Sequence, residues 1–375
     1  MPAFEHEMLR EINEQPEALR NTIVHYVERN VLKPEFFARL AGWQNPAGEI
    51  VIAASGSSRH SGLYGEILLE DLCGFAVDVE YASEYSLRGR TDPRRPSVLV
   101  LSQSGETSDT LAALKAARQN HQRTLAITNH PASTIANLAD VSMPLHAGEE
   151  RSIPATKSFT CQLAALYLIA MYEGARLYRI NANELQHSIQ ELEALPGIVQ
   201  ASLDSWSAQG LGLAGKYKDA STFLFLGRGI HYAIAREGAL KLKEASYIHA
   251  EGYPAGELKH GPNALVSERV PLVVLATVDR ALESSVLRHE RTLQLLRDVK
   301  AEGGRAIVVA NEDDARIAEL ANDVIRVSPV SEYLLPILEV IPLQLFAYFM
   351  AREYRVNVDR PRNLSKAVVD RVQSG

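Results

Sequence analysis

The chain has 375 residues, 46% hydrophobic and 23% charged, which is enough for two domains or one unusually large one around a sizeable core. A formal net charge of −7 argues against nucleic acid or an anionic membrane as the main partner, while allowing a local basic pocket for a small anion. Two cysteines in apolar settings, Cys73 and Cys161, exclude a disulfide framework and a CxxC metal pattern; a reducing cytoplasm fits best.

The opening stretch, MPAFEHEMLREINEQPEALR, is acidic and amphipathic and excludes a signal peptide. Met8, Leu9, Ile12, Leu19, Ile23 and Tyr26 form an apolar stripe that predicts a helical segment over 1–34, broken at Pro16. EIVIAAS then predicts a strand ending before Gly56, and GLYGEILLEDLCG a helix. Strands follow at AVDVEYA, SVLVLS, RTLAITN and DVSMPL, with helical stretches between most of them. The pattern recurs: TFLFLG ends at Gly227, AIAREGALKLKEASY reads as a helix, and VPLVVLA, RAIVVAN and DVIRVSP read as strands. Gly56 aligns with Gly227, Val100 with Val274, Ala126 with Val308 and Val141 with Val324. Strands alternating with helices predict a parallel sheet covered on both faces, and the repetition predicts an α/β chain of two similar doubly wound subdomains, 35–175 and 205–350. EALPGIVQASLDSWSAQG reads as the connector. No uninterrupted apolar run reaches membrane-spanning length, although YLLPILEVIPLQLFAYFMARE is a very apolar helix. The tail, 351–375, contains a rigid DRPRNL turn before a short helical end and is expected to dock at a specific place.

In open parallel sheets, ligands bind beyond the carboxyl ends of the strands. LSQSGETSDT lies at such a place. Helix-start N–H groups, the hydroxyls of Ser102, Ser104 and Thr107, and the Gln103 amide would surround a phosphate monoester, with Gly105 permitting close approach. Equally, Ser and Thr cap helices, and the residues alone leave both readings open. The companion loop ASGSSRHSG brings Gly56, Ser57 and Ser58. Neither loop is a Walker A motif or a GxSxG elbow, and GRGIHY has Tyr232 where a dinucleotide fingerprint needs its last glycine. Glu237, Lys241 and Glu244 share a helix face among small and apolar neighbours, which favours a buried acid–base group over a solvated ladder. His260 falls in an exposed Gly/Pro turn. His249, Glu251 and His260 match no zinc spacing, so no metal is expected.

Together, SQSGETSDTL, ATKSFT, FLGRG, EGALKLKEASYIHAE, GELKHGP, IPLQLFAY and DRPRNLSK resemble, in order and spacing, the sugar isomerase (SIS) domain family. Within it they are most similar to the isomerase half of the glutamine–fructose-6-phosphate aminotransferases. The resemblance covers about residues 50–370 and implies a tandem SIS, flavodoxin-like fold with a phosphosugar ligand. It implies that Ser102, Gln103, Ser104 and Thr107, helped by Ser58, hold the 6-phosphate. Glu244 matches the carboxylate that moves a proton between C1 and C2. Lys366 matches the lysine that engages the sugar carbonyl as a Schiff base, Lys241 a lysine near the reacting hydroxyls, and His260 a ring-opening histidine supplied by a neighbouring subunit. A homodimer with shared sites is therefore implied, with no cofactor, nucleic acid or membrane partner.

Two departures bear on function. The synthases carry a glutaminase domain with a cysteine after the initiator Met; here Pro2 follows Met1, so glutamine hydrolysis is not expected of this chain. Ala155 stands where the synthases have a hydroxyl, which alters one sugar contact. The expected activity is interconversion of glucosamine 6-phosphate and fructose 6-phosphate, with ammonia released or consumed. The alternatives are synthesis with a separate ammonia source, deglycation of a fructosamine-type phosphate, or non-catalytic phosphosugar sensing.

Overall fold

The computed structural model describes residues 4–88 and 94–366, which divide into two compact units. Among the described residues, one unit comprises 17–88, 94–150, 157–194 and 365–366, the other 4–16, 151–156 and 195–364. Each contains a five-stranded parallel sheet.

In the first unit the strands are Glu49–Ala54, Ala76–Tyr81, Ser97–Ser102, Thr124–Thr128 and Val141–Pro144. Numbered along the chain, they lie in the order 2-1-3-4-5. The second unit repeats that order with Thr222–Gly227, His249–Pro254, Leu272–Leu275, Ala306–Asn311 and Asp323–Val327. The central strands are β-branched and aliphatic runs with every residue of 97–102, 124–128, 272–275 and 306–311 buried, as strands covered on both faces must be. In this order the chain reverses direction between the first and third strands, and the crevice there is where doubly wound folds bind ligands.

The helix packing repeats as well. Gly56–Cys73 packs against Lys157–Arg176, and His231–Ser246 packs against Leu335–Glu353. The second contact depends on Gly238, where a Cβ would come 2.9 Å from both Leu343 Cδ1 and the Phe225 ring. Helix Leu335–Glu353 is long and apolar enough to cross a membrane, but 94% of its apolar window is buried inside the protein. It also carries the buried, hydrogen-bonded Glu339 and Gln344. We read it as a core helix.

The segment expected to be a connector does span the boundary between the two units, at 194/195, and it is helical throughout, lying inside Ala182–Tyr217, which continues through Pro196. Ile189, Leu192, Leu195, Val199, Leu203 and Trp206 are buried at helical spacing, and that stripe outweighs the hydrogen bond lost at proline. The N-terminal segment is also less uniform than expected. Helices Glu7–Asn13 and Gln15–Tyr26 give way to a minimal hairpin, Val27–Glu28 with Val31–Leu32. Arg29 and Asn30, both at positive φ, make its two-residue turn.

Through Leu364 the tail belongs to the second unit. Val358 and Pro361 are buried, and Asp359 accepts hydrogen bonds from the Glu7 and Met8 amides at 2.9 and 3.0 Å, capping the N-terminal helix. The helical end expected after Lys366 lies outside the described residues.

Candidate active site

Both hydroxyl-rich loops lie at the reversal point of the first sheet. Ser102 ends the third strand and Thr107 precedes the helix Ser108–Gln119. Thr107 occupies the N-cap position, yet its side chain makes no capping bond. Its hydroxyl lies 3.0 Å from Ser102 Oγ and 3.5 Å from Ser104 Oγ, while the Gly105 and Glu106 amides donate to Ser102 and Ser104 Oγ at 3.0 and 3.2 Å. The hydroxyls thus shape the loop, and Thr107 makes no side-chain cap to the helix start, where an incoming anion would find the N-terminal end of the helix. Gly105 has φ +67°, and a Cβ there would come 2.0 Å from Ser133 Oγ, so only glycine fits. The Gln103 amide makes no hydrogen bond among the described residues, and a cleft of about 480 Å³ opens between Ser104, Glu106, His130 and Ser133.

The first-strand loop contributes Ser58 beside the start of helix Gly56–Cys73. Gln162, buried on helix Lys157–Arg176, donates to Ser58 Oγ at 3.0 Å and accepts from Ser61 Oγ at 2.6 Å. The sequence offered no signal for Gln162, because a buried amide inside an apolar helix follows no motif.

Lys366 is placed by a residue that no motif in the sequence singles out. Its Nζ lies 2.7 Å from Oε2 of Glu150, whose side chain is fully buried. Ser158 donates its N–H to Oε1 at 3.0 Å and its hydroxyl to Oε2 at 2.7 Å. Burial pushes the Glu150 carboxyl up, but the Lys366 ammonium and the two Ser158 donors outweigh it and hold it at about 2.

The second unit carries the expected Glu237–Lys241–Glu244 cluster. On helix His231–Ser246, Lys241 Nζ lies 2.5 Å from Glu244 Oε2 and 3.4 Å from Glu237 Oε1. Glu237 and Lys241 are fully buried and Glu244 keeps 21% of its side chain exposed, so this is no solvated ladder. Burial opposes the charge on Lys241, but the Glu237 and Glu244 carboxylates more than compensate and push its pKa upward, keeping it an ammonium. His260 stands apart. It ends the short 3₁₀ turn Ala255–His260, is exposed, and makes no hydrogen bond to Glu237, Lys241 or Glu244 among the described residues. Ala155, in the same unit, offers no hydroxyl.

The reversal point of the second sheet is built differently. His231 lies between Glu339, 2.7 Å from Nδ1, and Glu332, 3.2 Å from Nε2, with Arg288 on Glu332 at 2.6 Å. Asp279 accepts from the Glu332 amide at 3.1 Å. Buried carboxylates occupy the place that hydroxyls hold in the first sheet, so an anion would meet negative charge there. The duplicated fold therefore carries one hydroxyl cradle, on its first sheet. Among the described residues, no group of three His, Cys, Asp or Glu side chains is placed to hold a metal ion.

A tandem parallel-sheet fold with this cradle defines a class: the chain belongs to the SIS domain family, which matches residues 45–172 and 216–352. It is 42% identical over 371 residues to a glutamine–fructose-6-phosphate aminotransferase (isomerizing) of Chlorobaculum tepidum, covering 97% of this chain and 58% of that protein. The chain thus spans about three fifths of the length of the curated relatives it matches. Among solved structures, it resembles the C-terminal domain of glucosamine-fructose-6-phosphate aminotransferase from Francisella tularensis, with a TM-score of 0.86 and 32% identity over 96% of this chain and 99% of that one. A glucosamine-6-phosphate deaminase from Thermotoga maritima shares the fold at a TM-score of 0.72 and 23% identity, over 97% and 99% of the two chains.

Proposed function

We propose that this chain is an SIS-family enzyme that interconverts glucosamine 6-phosphate and fructose 6-phosphate by proton transfer between C1 and C2, with ammonia released or consumed. The observation that carries the reading is the Glu237–Lys241–Glu244 cluster. A part-exposed carboxylate beside a buried ammonium is what an aldose–ketose conversion requires: a base for the carbon-bound proton, and a fixed positive charge for the oxygen on which electron density accumulates. Glu244 takes the proton from one carbon and returns it to the other, while Lys241 stabilises the enediol or enamine oxygen. Ser102, Gln103, Ser104 and Thr107, with Ser58, hold the phosphate ester and so orient the sugar. Lys366 condenses with the open-chain carbonyl, and the resulting imine withdraws electrons from C2. His260 assists ring opening from a neighbouring copy in a homodimer.

The names of the curated relatives favour a second reading, amination of fructose 6-phosphate with ammonia from a separate source. One assay covers both directions: incubation with glucosamine 6-phosphate, reading ammonia and fructose 6-phosphate, and incubation with fructose 6-phosphate and an ammonium salt, reading glucosamine 6-phosphate. Tight phosphosugar binding with no turnover either way would sink the enzyme reading and favour a sensor.

A further inference from the structure

We infer that Glu150 is the residue that positions Lys366 and carries its proton during condensation with the sugar carbonyl. The inference rests on the proposed function above and deepens it. An amine attacks a carbonyl only when unprotonated, and a lysine beside a carboxylate in this ligand-free arrangement is an ammonium. The Lys366 Nζ donates to the Glu150 carboxylate at 2.7 Å. That carboxylate is also held independently of Lys366, by the Ser158 amide and hydroxyl, so it keeps its orientation when the amine moves to substrate.

A purely structural pairing is a poor account of this contact. Burying a carboxylate costs several kcal/mol, on the order of what its partner returns, and here the partner comes from 216 residues away along the chain. The chemistry explains the choice of partner. The ammonium proton passes to Glu150, leaving an amine and a carboxylic acid. The amine adds to the carbonyl carbon to give a carbinolamine, and the Glu150 acid protonates the departing hydroxyl, which leaves as water. The products are an iminium on Lys366 and the Glu150 carboxylate, so charge and atoms balance. The first transfer is uphill in the resting pair and is drawn forward by addition to the carbonyl. The buried carboxylate faces a cation at the beginning and at the end, so its burial is compensated in both states.

The test is borohydride trapping with the full chain and fructose 6-phosphate, reading the reduced adduct on Lys366 by mass spectrometry. Glu150→Gln should lower the trapping rate at saturating substrate about a hundredfold, as loss of a proton carrier does, with an unchanged Kd for fructose 6-phosphate. Glu150→Asp, which keeps the charge at shorter reach, should recover part of the rate. A Glu150→Gln protein that traps at the wild-type rate would overturn the inference, and so would a loss confined to Kd, which is the mark of a structural role. If Glu150→Gln does not fold, Glu150→Asp decides: a wild-type saturated rate overturns the inference and a reduced one supports it. Absence of any adduct in the wild type would remove the imine and this inference with it, while the ammonia assay would still judge the overall reaction separately.

Discussion

The Arg362 guanidinium lies 4.3 Å from the centroid of the Tyr247 ring, and the Arg362 amide donates to the Tyr247 hydroxyl at 2.7 Å. Tyr247, at φ +62°, is the left-handed residue that ends the helix carrying Lys241 and Glu244. The tail is therefore pinned to the end of the acid–base helix, four residues before Lys366. Tyr247→Phe removes the hydrogen bond, worth about 1 kcal/mol. Tyr247→Asn, which tolerates left-handed backbone, also removes the cation–π contact, worth about 0.5–1 kcal/mol at a half-exposed site. Amide exchange over 359–364 should rise in that order and kcat should fall with it. Unchanged exchange in Tyr247→Asn would mean that other contacts hold the tail.

Gly105 should be the least replaceable residue of the phosphate loop. Gly105→Ala must leave the left-handed region or displace Ser133, whose hydroxyl caps the helix Thr134–Leu138 by accepting from the Ala136 amide at 3.3 Å. Ser104→Ala removes one hydroxyl and should cost only about 1 kcal/mol of binding. By calorimetry, Gly105→Ala should weaken glucosamine 6-phosphate and fructose 6-phosphate alike, and by more than Ser104→Ala does. Weakening of one sugar alone would show that the loop reads the sugar and not the phosphate.

For the acid–base cluster, Glu244→Gln should lower kcat by roughly 10²–10⁴-fold and leave phosphosugar binding intact. Lys241→Gln should behave otherwise. It takes the Lys241 ammonium away from the buried Glu237, and breaking such a pair costs about 3–5 kcal/mol of stability. Denaturant unfolding of the two variants separates the roles, and a Lys241→Gln protein as stable as Glu244→Gln would overturn the structural role given to Lys241.

The His231 cluster makes a stability prediction with a definite sign. Burial pushes the His231 pKa down and Arg288 adds to that, but the Glu339 and Glu332 carboxylates win and raise it to about 9 from an ordinary 6.5. Because folding raises this pKa, the contribution is complete below pH 6.5 and is lost as the pH climbs through about 9. The rise corresponds to about 3 kcal/mol. Urea unfolding at pH 6 and pH 10 should show that part of the loss in the wild type and not in His231→Gln. The variant itself should be less stable at pH 6, because two buried carboxylates lose their shared cation. Equal pH dependence in both proteins would place the charge elsewhere.

Much of this architecture was legible in the residues. The repeat appears as two series of β-branched and aliphatic runs, because a strand buried on both faces tolerates little else. Glu237, Lys241 and Glu244 could be placed on one face because helical spacing is a local property. The position of Ser102–Thr107 at a strand–helix junction followed in the same way. The connector was legible as the stretch between the two repeats, but its helical state was not, because Pro196 and three nearby glycines, Gly197, Gly210 and Gly212, disfavour a helix that the buried stripe from Ile189 to Trp206 nonetheless holds together.

By itself, then, the sequence determined the elements, their duplication and which loops stand at the carboxyl ends of the strands, since all of these follow from short-range periodicity. The tertiary structure alone decided which charges are buried and with whom. Glu150 looks like one more acid in GEERS until Lys366, 216 residues away, closes on it. His231, Glu332 and Glu339 look like scattered surface residues until they fill the second reversal point. Desolvation sets the energy of such groups, and it depends on what packs around them from distant parts of the chain, which no local pattern encodes.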